Sequence, residues 1–340
     1  MIQTKNRPLT DKVVFDESTT KTLDIPLDND IRRITLHVKL AIVQGATQAT
    51  TLVDSGVGIL PILKKIRLVM NGDDNKISLD AVKWYIVETY EKGATPQITT
   101  LPTPSITATY EAVLHADFAS FRQDLSDISA LLPAPDLASL TLEIDWGQMT
   151  DIYETINNTI FTDASSFCEV SLTEVFETEA GKTVQSQAPN GRYIDMREGT
   201  DTQNVTAVHD SYDTSVLTKT IEPVPTKILT HLLLTRSDIL TATAKERVDD
   251  VLTQIRVENV KGDGERILDE RADTLQDSNK TEYGLEALIT GAYYIDWIDQ
   301  RRGGLRNFET EAVKWKFLNA DPNSTETDQI EIFTRYVSSV

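Results

Sequence analysis

The sequence predicts an all-β fold: two tandem eight-stranded jelly rolls with a few short helices. Three observations lead there. Apolar and polar residues alternate along several short runs, turn residues separate the runs, and the order of runs recurs once along the chain. Alternation with period two marks a strand with one face buried, because successive side chains point to opposite sides. Ile34, Leu36, Val38 and Leu40 alternate with Thr35, His37 and Lys39. Leu140, Leu142 and Ile144 alternate with Thr141, Glu143 and Asp145, and Val313, Trp315 and Phe317 with Lys314 and Lys316. Val170, Leu172, Val175 and Phe176 give a less regular strand, and Ile330, Ile332 and Phe333 open a last one. Asn71-Gly72-Asp73-Asp74, Lys261-Gly262-Asp263-Gly264 and Arg302-Gly303-Gly304 are the turns.

The recurrence has four blocks in one order. Phe15-Asp16, Thr20-Lys21-Thr22-Leu23, Arg33-Ile34 and His37 correspond to Tyr212-Asp213, Thr218-Lys219-Thr220-Ile221, Lys227-Ile228 and His231. Ile66-Arg67-Leu68, Gly72 and Lys76-Ile77 correspond to Ile255-Arg256-Val257, Gly262 and Arg266-Ile267. Ala116 and Asp117-Phe118 match Ile295 and Asp296-Trp297, and Leu140, Leu142 and Ile144 match Val313, Trp315 and Phe317. Such order is the mark of a duplicated domain. Roughly eight strands over about 150 residues in each copy fit a jelly roll, two four-stranded sheets face to face. Residues 12–180 are then the first jelly roll, 181–211 a linker, and 212–340 the second.

Helices are expected to be few. Residues 118–132 place Phe121, Leu125 and Ile128 at helical spacing before Pro133. Residues 243–255 also pass for a helix, but the repeat makes 255–258 a strand, so only the residues before them can be helical.

Composition narrows the function. The chain has 340 residues, 40% hydrophobic and 25% charged, which is soluble-globular composition. Its 53 acidic residues against 33 basic ones leave a formal charge of −20, which disfavours direct contact with nucleic acid. Cys168 is the one cysteine, so no internal disulfide can form. No run approaches the roughly 18 apolar residues of a membrane helix, and the first dozen residues lack the apolar core of a secretory signal. Synthesis in the cytoplasm is the expectation.

The search for chemistry returns no catalytic, cofactor-binding or metal-binding residues. The histidines are His37, His115, His209 and His231. His37 and His231 match in the repeat, but neither has the second histidine that a metal-binding barrel would need. Both fall on polar phases of their strands and read as surface or interface residues. Asp73, Asp74, Asp263 and the acidic stretch 321–328 lack the spacing of a calcium loop and read as turns. Asp117 and Asp296 suggest an acid/base pair, yet as repeat equivalents they belong to different barrels. Cys168 sits in an apolar run and reads as a packed thiol. Trp84, Trp146, Trp297 and Trp315 fall mostly at repeat-matched strand positions, which favours core over sugar-binding platforms.

Segments 31–40, 60–76 and 132–147, with counterparts 228–234, 255–266 and 291–297, resemble the double jelly-roll major capsid proteins of tailless icosahedral viruses. That lineage contains the tectiviruses and the adenovirus hexon, and the short loops suit a compact bacterial or archaeal type. The resemblance implies a virion subunit without enzymatic activity that forms homotrimeric, pseudo-hexameric capsomers over an internal membrane. Its partners would be further copies of the chain, membrane lipid and minor capsid proteins, with no cofactor. The alternative is a two-jelly-roll carbohydrate-active or amidase-type enzyme, or a glycan-binding adhesin, and assembly state separates the two. The first 14 residues carry Lys5, Arg7 and Lys12 against Asp11. They are expected to form a cationic arm that touches membrane or neighbouring subunits.

Overall fold

The computed structural model describes residues 2–43, 53–54, 56–72, 74–99, 108–118, 131–153, 160–161, 165–177, 192–206, 216–221, 227–241, 244–259, 266–297, 313–319 and 327–339. The chain divides into two compact units, Met1–Arg197 with Ser339–Val340, and Glu198–Ser338.

The first unit begins with β1 (Ile2–Val14), β2 (Thr20–Asp24), β3 (Asp30–Val43), β4 (Leu63–Met70) and β5 (Asp74–Leu79). Helix α1 (Ala81–Lys92) follows, then β6 (Ala108–Asp117), β7 (Leu140–Trp146), the two-residue β8 (Ile160–Phe161) and β9 (Phe167–Glu177). One sheet has the order β1-β9-β3-β6, with β8 beside the end of β3, and its ladders are antiparallel. The other runs β5-β4-β7-β2, also antiparallel. Counting the eight long strands, one sheet is first-eighth-third-sixth and the other second-seventh-fourth-fifth. That is the connectivity of a jelly roll, closed by Greek-key crossings.

The second unit repeats it strand for strand. Strand β10 (Arg192–Thr206) starts in the first unit, where Met196 and Arg197 lie parallel to Ile77 and Ser78 of β5, and ends in the second. Then come β11 (Val216–Ile221), β12 (Lys227–Thr241), β13 (Ala244–Arg247), β14 (Leu252–Asn259), β15 (Arg266–Arg271), helix α2 (Ala272–Tyr283), β16 (Ala292–Asp296), β17 (Val313–Asn319) and β18 (Thr327–Ser339). The sheets run β10-β18-β12-β16 and β11-β17-β14-β15, with β13 added beside β12. Setting β13 aside, these are again first-eighth-third-sixth and second-seventh-fourth-fifth. The chain is a double jelly roll.

The alternation in the sequence is the alternation of burial. Along β3, Ile34, Leu36, Val38, Leu40 and Ile42 are buried while the residues between them are half-exposed. Burying each is worth about 1.5–3 kcal/mol. Leu140, Leu142, Ile144 and Trp146 do the same from β7. In the second unit Leu233, Ile255, Val257, Tyr293, Ile295, Trp297, Ile330 and Ile332 form one cluster. Asn71 and Gly72, both at positive φ, close the β4–β5 hairpin, the residue pair that such a tight turn selects.

The two helices stand at matching places, after the fifth strand of each barrel, and each ends on a left-handed glycine, Gly93 or Gly284. Asp80 caps α1 by accepting from the Lys83 N–H at 2.8 Å. Neither helix coincides with an expected one. Residues 119–130 lie outside the described residues. The second segment, 243–255, is open to a helix only before 255; its described residues hold β13 and the start of β14, with Val248, Val251 and Ile255 packed in the core.

Two further expectations change. Residues 2–14 are no free arm: they are β1, the edge strand of the first barrel, paired with β9 from Ile2–Glu177 to Val14–Phe167. The expected boundaries opened the first jelly roll at residue 12 and left 181–211 as a linker. The first unit begins at Met1, and β10 occupies 192–206.

Candidate functional site

The outward face of the β1-β9-β3-β6 sheet carries a ladder of charges. Lys12 on β1 meets Glu169 on β9 at 2.6 Å. On β3, His37 Nε2 lies 3.0 Å from Glu111 of β6, and Lys39 lies between Glu169 and Glu111 at 3.6 and 3.8 Å. Further along, Arg33 makes a two-pronged contact with Asp117 of β6, at 2.5 and 3.1 Å. Each charge faces its opposite across adjacent strands, the arrangement that stabilises neighbouring positions in a sheet. The Lys12 hydrogen bond, and after it the charge of Lys39, hold the Glu169 carboxyl below its ordinary range. The other sheet is similar: Arg67 bonds Glu143 at 2.7 Å and Asp145 at 2.9 Å.

Tested against this geometry, the candidate residues separate cleanly. His37 is half-exposed in the ladder, as a surface histidine should be. His115 bonds Glu88 through Nδ1 at 2.5 Å. His209 lies outside the described residues. His231 is a correction: it is fully buried, and Trp297 Nε1 donates to its Nδ1 at 2.7 Å. The repeat pairing with His37 is three residues out of register. Ile34 pairs with Ala116 in the first unit and His231 with Ile295 in the second, so His231 stands where the first barrel has Ile34. Phe118 and Trp297, each one residue past the sixth strand, complete the comparison. An apolar Ile-Phe pair in one core is a hydrogen-bonded His-Trp pair in the other. The same shift undoes the pairing of Ile34 with Ile228.

Burial drives the His231 pKa down to about 3, well below its value in an unfolded chain. A depressed histidine adds nothing to the pH dependence above about 6.5 and destabilises below it, because only the unfolded chain then takes up the proton. The second unit is therefore expected to lose about 1.4 kcal/mol per pH unit between pH 6.5 and 3 from this group. The His231 ring resonances, followed by NMR, should stay flat from pH 8 to 4. A titration midpoint near 6.5 would refute the assignment.

Asp117 is held by Arg33, and Asp296 accepts from Tyr283 at 3.3 Å, each within its own unit. Asp73, Asp263 and 321–326 lie outside the described residues. Cys168 is buried, and burial raises its thiol pKa, so it is the packed thiol expected. Trp84, Trp146 and Trp297 are buried, and Trp84 donates to the His115 carbonyl at 2.8 Å. These are core residues and offer no platform for a sugar. Among the described residues no group of three or more His, Cys, Asp or Glu side chains converges as metal ligands. No described helix is long and apolar enough to cross a membrane.

Sequence reasoning missed the network around Glu88, almost wholly buried on α1. Its carboxylate accepts from the His115 backbone N–H at 2.8 Å and bonds Lys92 at 2.5 Å. It thereby satisfies a backbone donor of the edge strand β6, whose next stretch is covered by residues 97–99. An acid inside a largely apolar helix was the available signal.

No family model matches the sequence, and no curated protein does. Solved structures do. The chain is similar to the major capsid protein of STIV, the Sulfolobus turreted icosahedral virus, with a TM-score of 0.72 at 15% identity, over 98% of this chain and 96% of that one. It is similar to the major capsid protein P2 of bacteriophage PM2, with a TM-score of 0.59 at 11% identity, over 99% and 98%. A chain of the PBCV-1 virus capsid matches with a TM-score of 0.60 at 11% identity, over 99% and 94%. These likenesses extend over both barrels. The protein has the double jelly-roll fold of viral major capsid proteins.

Proposed function

We propose that this chain is the major capsid protein of an icosahedral virus, a structural subunit without catalytic activity. The observation that carries the reading is the whole-length likeness to capsid subunits: both barrels are matched, in order, with little chain left over on either side. An enzyme or adhesin built on two jelly rolls would need a cleft of unsatisfied acids or exposed aromatics. Among the described candidates, Asp117 and Asp296 are engaged by Arg33 and Tyr283, and Trp84, Trp146 and Trp297 are packed in the cores, which supports the structural reading.

In this proposal three copies associate into a capsomer whose six barrels approximate a hexagon, and capsomers tile the shell. Each unit, divided within β10, supplies one barrel. The chain is made in the host cytoplasm and resides in the virion, with further copies and minor capsid proteins as its contacts. A charge of −20 per chain disfavours a shell lying directly on the genome, and an internal lipid membrane separates the two.

The test is the mass of the purified 38.0 kDa chain by light scattering, followed by electron microscopy. The expected result is a trimer that persists at micromolar concentration, its interfaces each burying more than about 2,000 Å². A monodisperse monomer would overturn the proposal.

A further inference from the structure

At the start of β3 the first unit makes a compact joint. The Ile31 N–H donates to the Leu132 carbonyl at 2.9 Å, the Leu132 N–H donates back to Ile31 at 3.0 Å, and the Phe118 N–H donates to the Arg32 carbonyl at 2.8 Å. A single helical turn, Ala134–Asp136, follows directly and is closed by the Asp136 N–H on the Pro133 carbonyl. Asp30, the residue before the joint, is only 6% exposed, and its Oδ1 is buried with no hydrogen-bond partner. Burial, and secondarily the charge of Asp136, raise its pKa to about 6. Arg7 is committed to Asp28 and Glu174, at 2.6 and 3.2 Å, and Asn29 donates to Glu174.

A bare buried carboxylate oxygen is costly unless a donor or cation reaches it. The charge of Asp136 acts on Asp30, whose buried Oδ1 has no hydrogen-bond partner. We propose that Asp30 and Asp136 bind a divalent cation of the calcium or magnesium type across this joint. Such hard cations take oxygen ligands and are often held by one or two carboxylates, with water completing the shell. Two carboxylates make a weak site, filled at millimolar rather than micromolar concentration. The strongly negative chain raises the local concentration of cations around it. Bound there, the ion fastens the segment after Leu132 to the first residues of β3.

The test uses the full chain at pH 7.5 and follows hydrogen exchange of the Ile31 and Leu132 amides. Calcium chloride and magnesium chloride are titrated to about 5 mM against sodium chloride of equal ionic strength, a range suited to weak oxygen-ligand sites. The expected result is roughly tenfold slower exchange at both amides with one or both cations, a local gain of about 1.4 kcal/mol. The slowing should vanish in Asp30→Asn and in Asp136→Asn, the second a change at an exposed position that leaves the core intact. Without added cation, Asp30→Asn should itself exchange more slowly than wild type, since it removes the buried charge. Slowing that survives in either variant places the ion elsewhere and overturns the proposal. So does an absence of any cation effect accompanied by slowing on acidification through pH 6, which would make a proton the occupant.

Discussion

Deleting residues 2–12 is expected to unfold the first barrel, and the purified product should be insoluble or lose its cooperative transition. The deletion removes eight of the ten β1 residues aligned with β9. Each backbone hydrogen bond so lost is worth about 0.5–1.5 kcal/mol net, and the sum stands against a typical total stability of only about 5–15 kcal/mol. The deletion also strips Glu174, a wholly buried carboxylate, of its Arg7 partner. It takes Lys12 from Glu169 and from the Phe167 ring, over which the ammonium sits at 3.9 Å. Finally, it leaves β9 as a new open edge, a template for pairing with other chains. The check is thermal unfolding together with sedimentation. A truncated chain that stays soluble and melts within about 2 °C of wild type, no more than the shift expected from about 1 kcal/mol in a domain of this size, would show that β1 is dispensable.

This outcome contrasts with the reading of the same residues as a cationic arm, and the contrast shows what a sequence can disclose. Lys5, Arg7 and Lys12 do carry positive charge, but on an edge strand the partners of Arg7 and Lys12 come from elsewhere in the chain: Asp28, Glu174 and Glu169. Nothing local announces them. Strand β1 is also exposed on both faces over most of residues 3–12, so it lacks the alternation that revealed β3 and β7. Those two strands were legible because each has one face in a core and one in a charge ladder. Helix α1 failed for the opposite reason. Ten of its twelve residues are buried, including Lys83, Glu88 and Thr89, so no amphipathic stripe was there to read. The duplication was legible in block order, yet its register slipped at the third strand. Two histidines looked equivalent, whereas sheet pairing aligns His231 with Ile34. Side-chain identity is a poor guide to register when one copy fills a core position with a hydrogen-bonded pair and the other with hydrocarbon. His231 looked like a surface residue because the residue that satisfies it, Trp297, is 66 positions away.

Replacing Glu88 is expected to destabilise the first unit more than breaking any ion pair of its exposed charge ladder. Its two oxygens serve the backbone N–H of His115, the His115 ring and the Lys92 ammonium, from a position only 2% exposed. Glu88→Ala leaves an edge-strand amide without an acceptor and Lys92 without its nearer partner, at an expected cost of about 2–4 kcal/mol. Glu88→Gln keeps an oxygen for the amide and gains a donor for the imidazole, so it should cost less than half as much. Lys92→Ala should cost under about 1 kcal/mol, because the ammonium is partly solvated and its contribution is screened. Urea unfolding gives the order of the three. Hydrogen exchange at the His115 amide gives the location, since only Glu88→Ala should accelerate it markedly beyond the global change. Loss of stability equal in the alanine and glutamine variants would mean that charge, and not the satisfied edge amide, is what Glu88 supplies. If Glu88→Ala unfolds within about 0.5 kcal/mol of wild type, the ordinary range for an uncoupled surface position, the carboxylate does not hold α1 against β6.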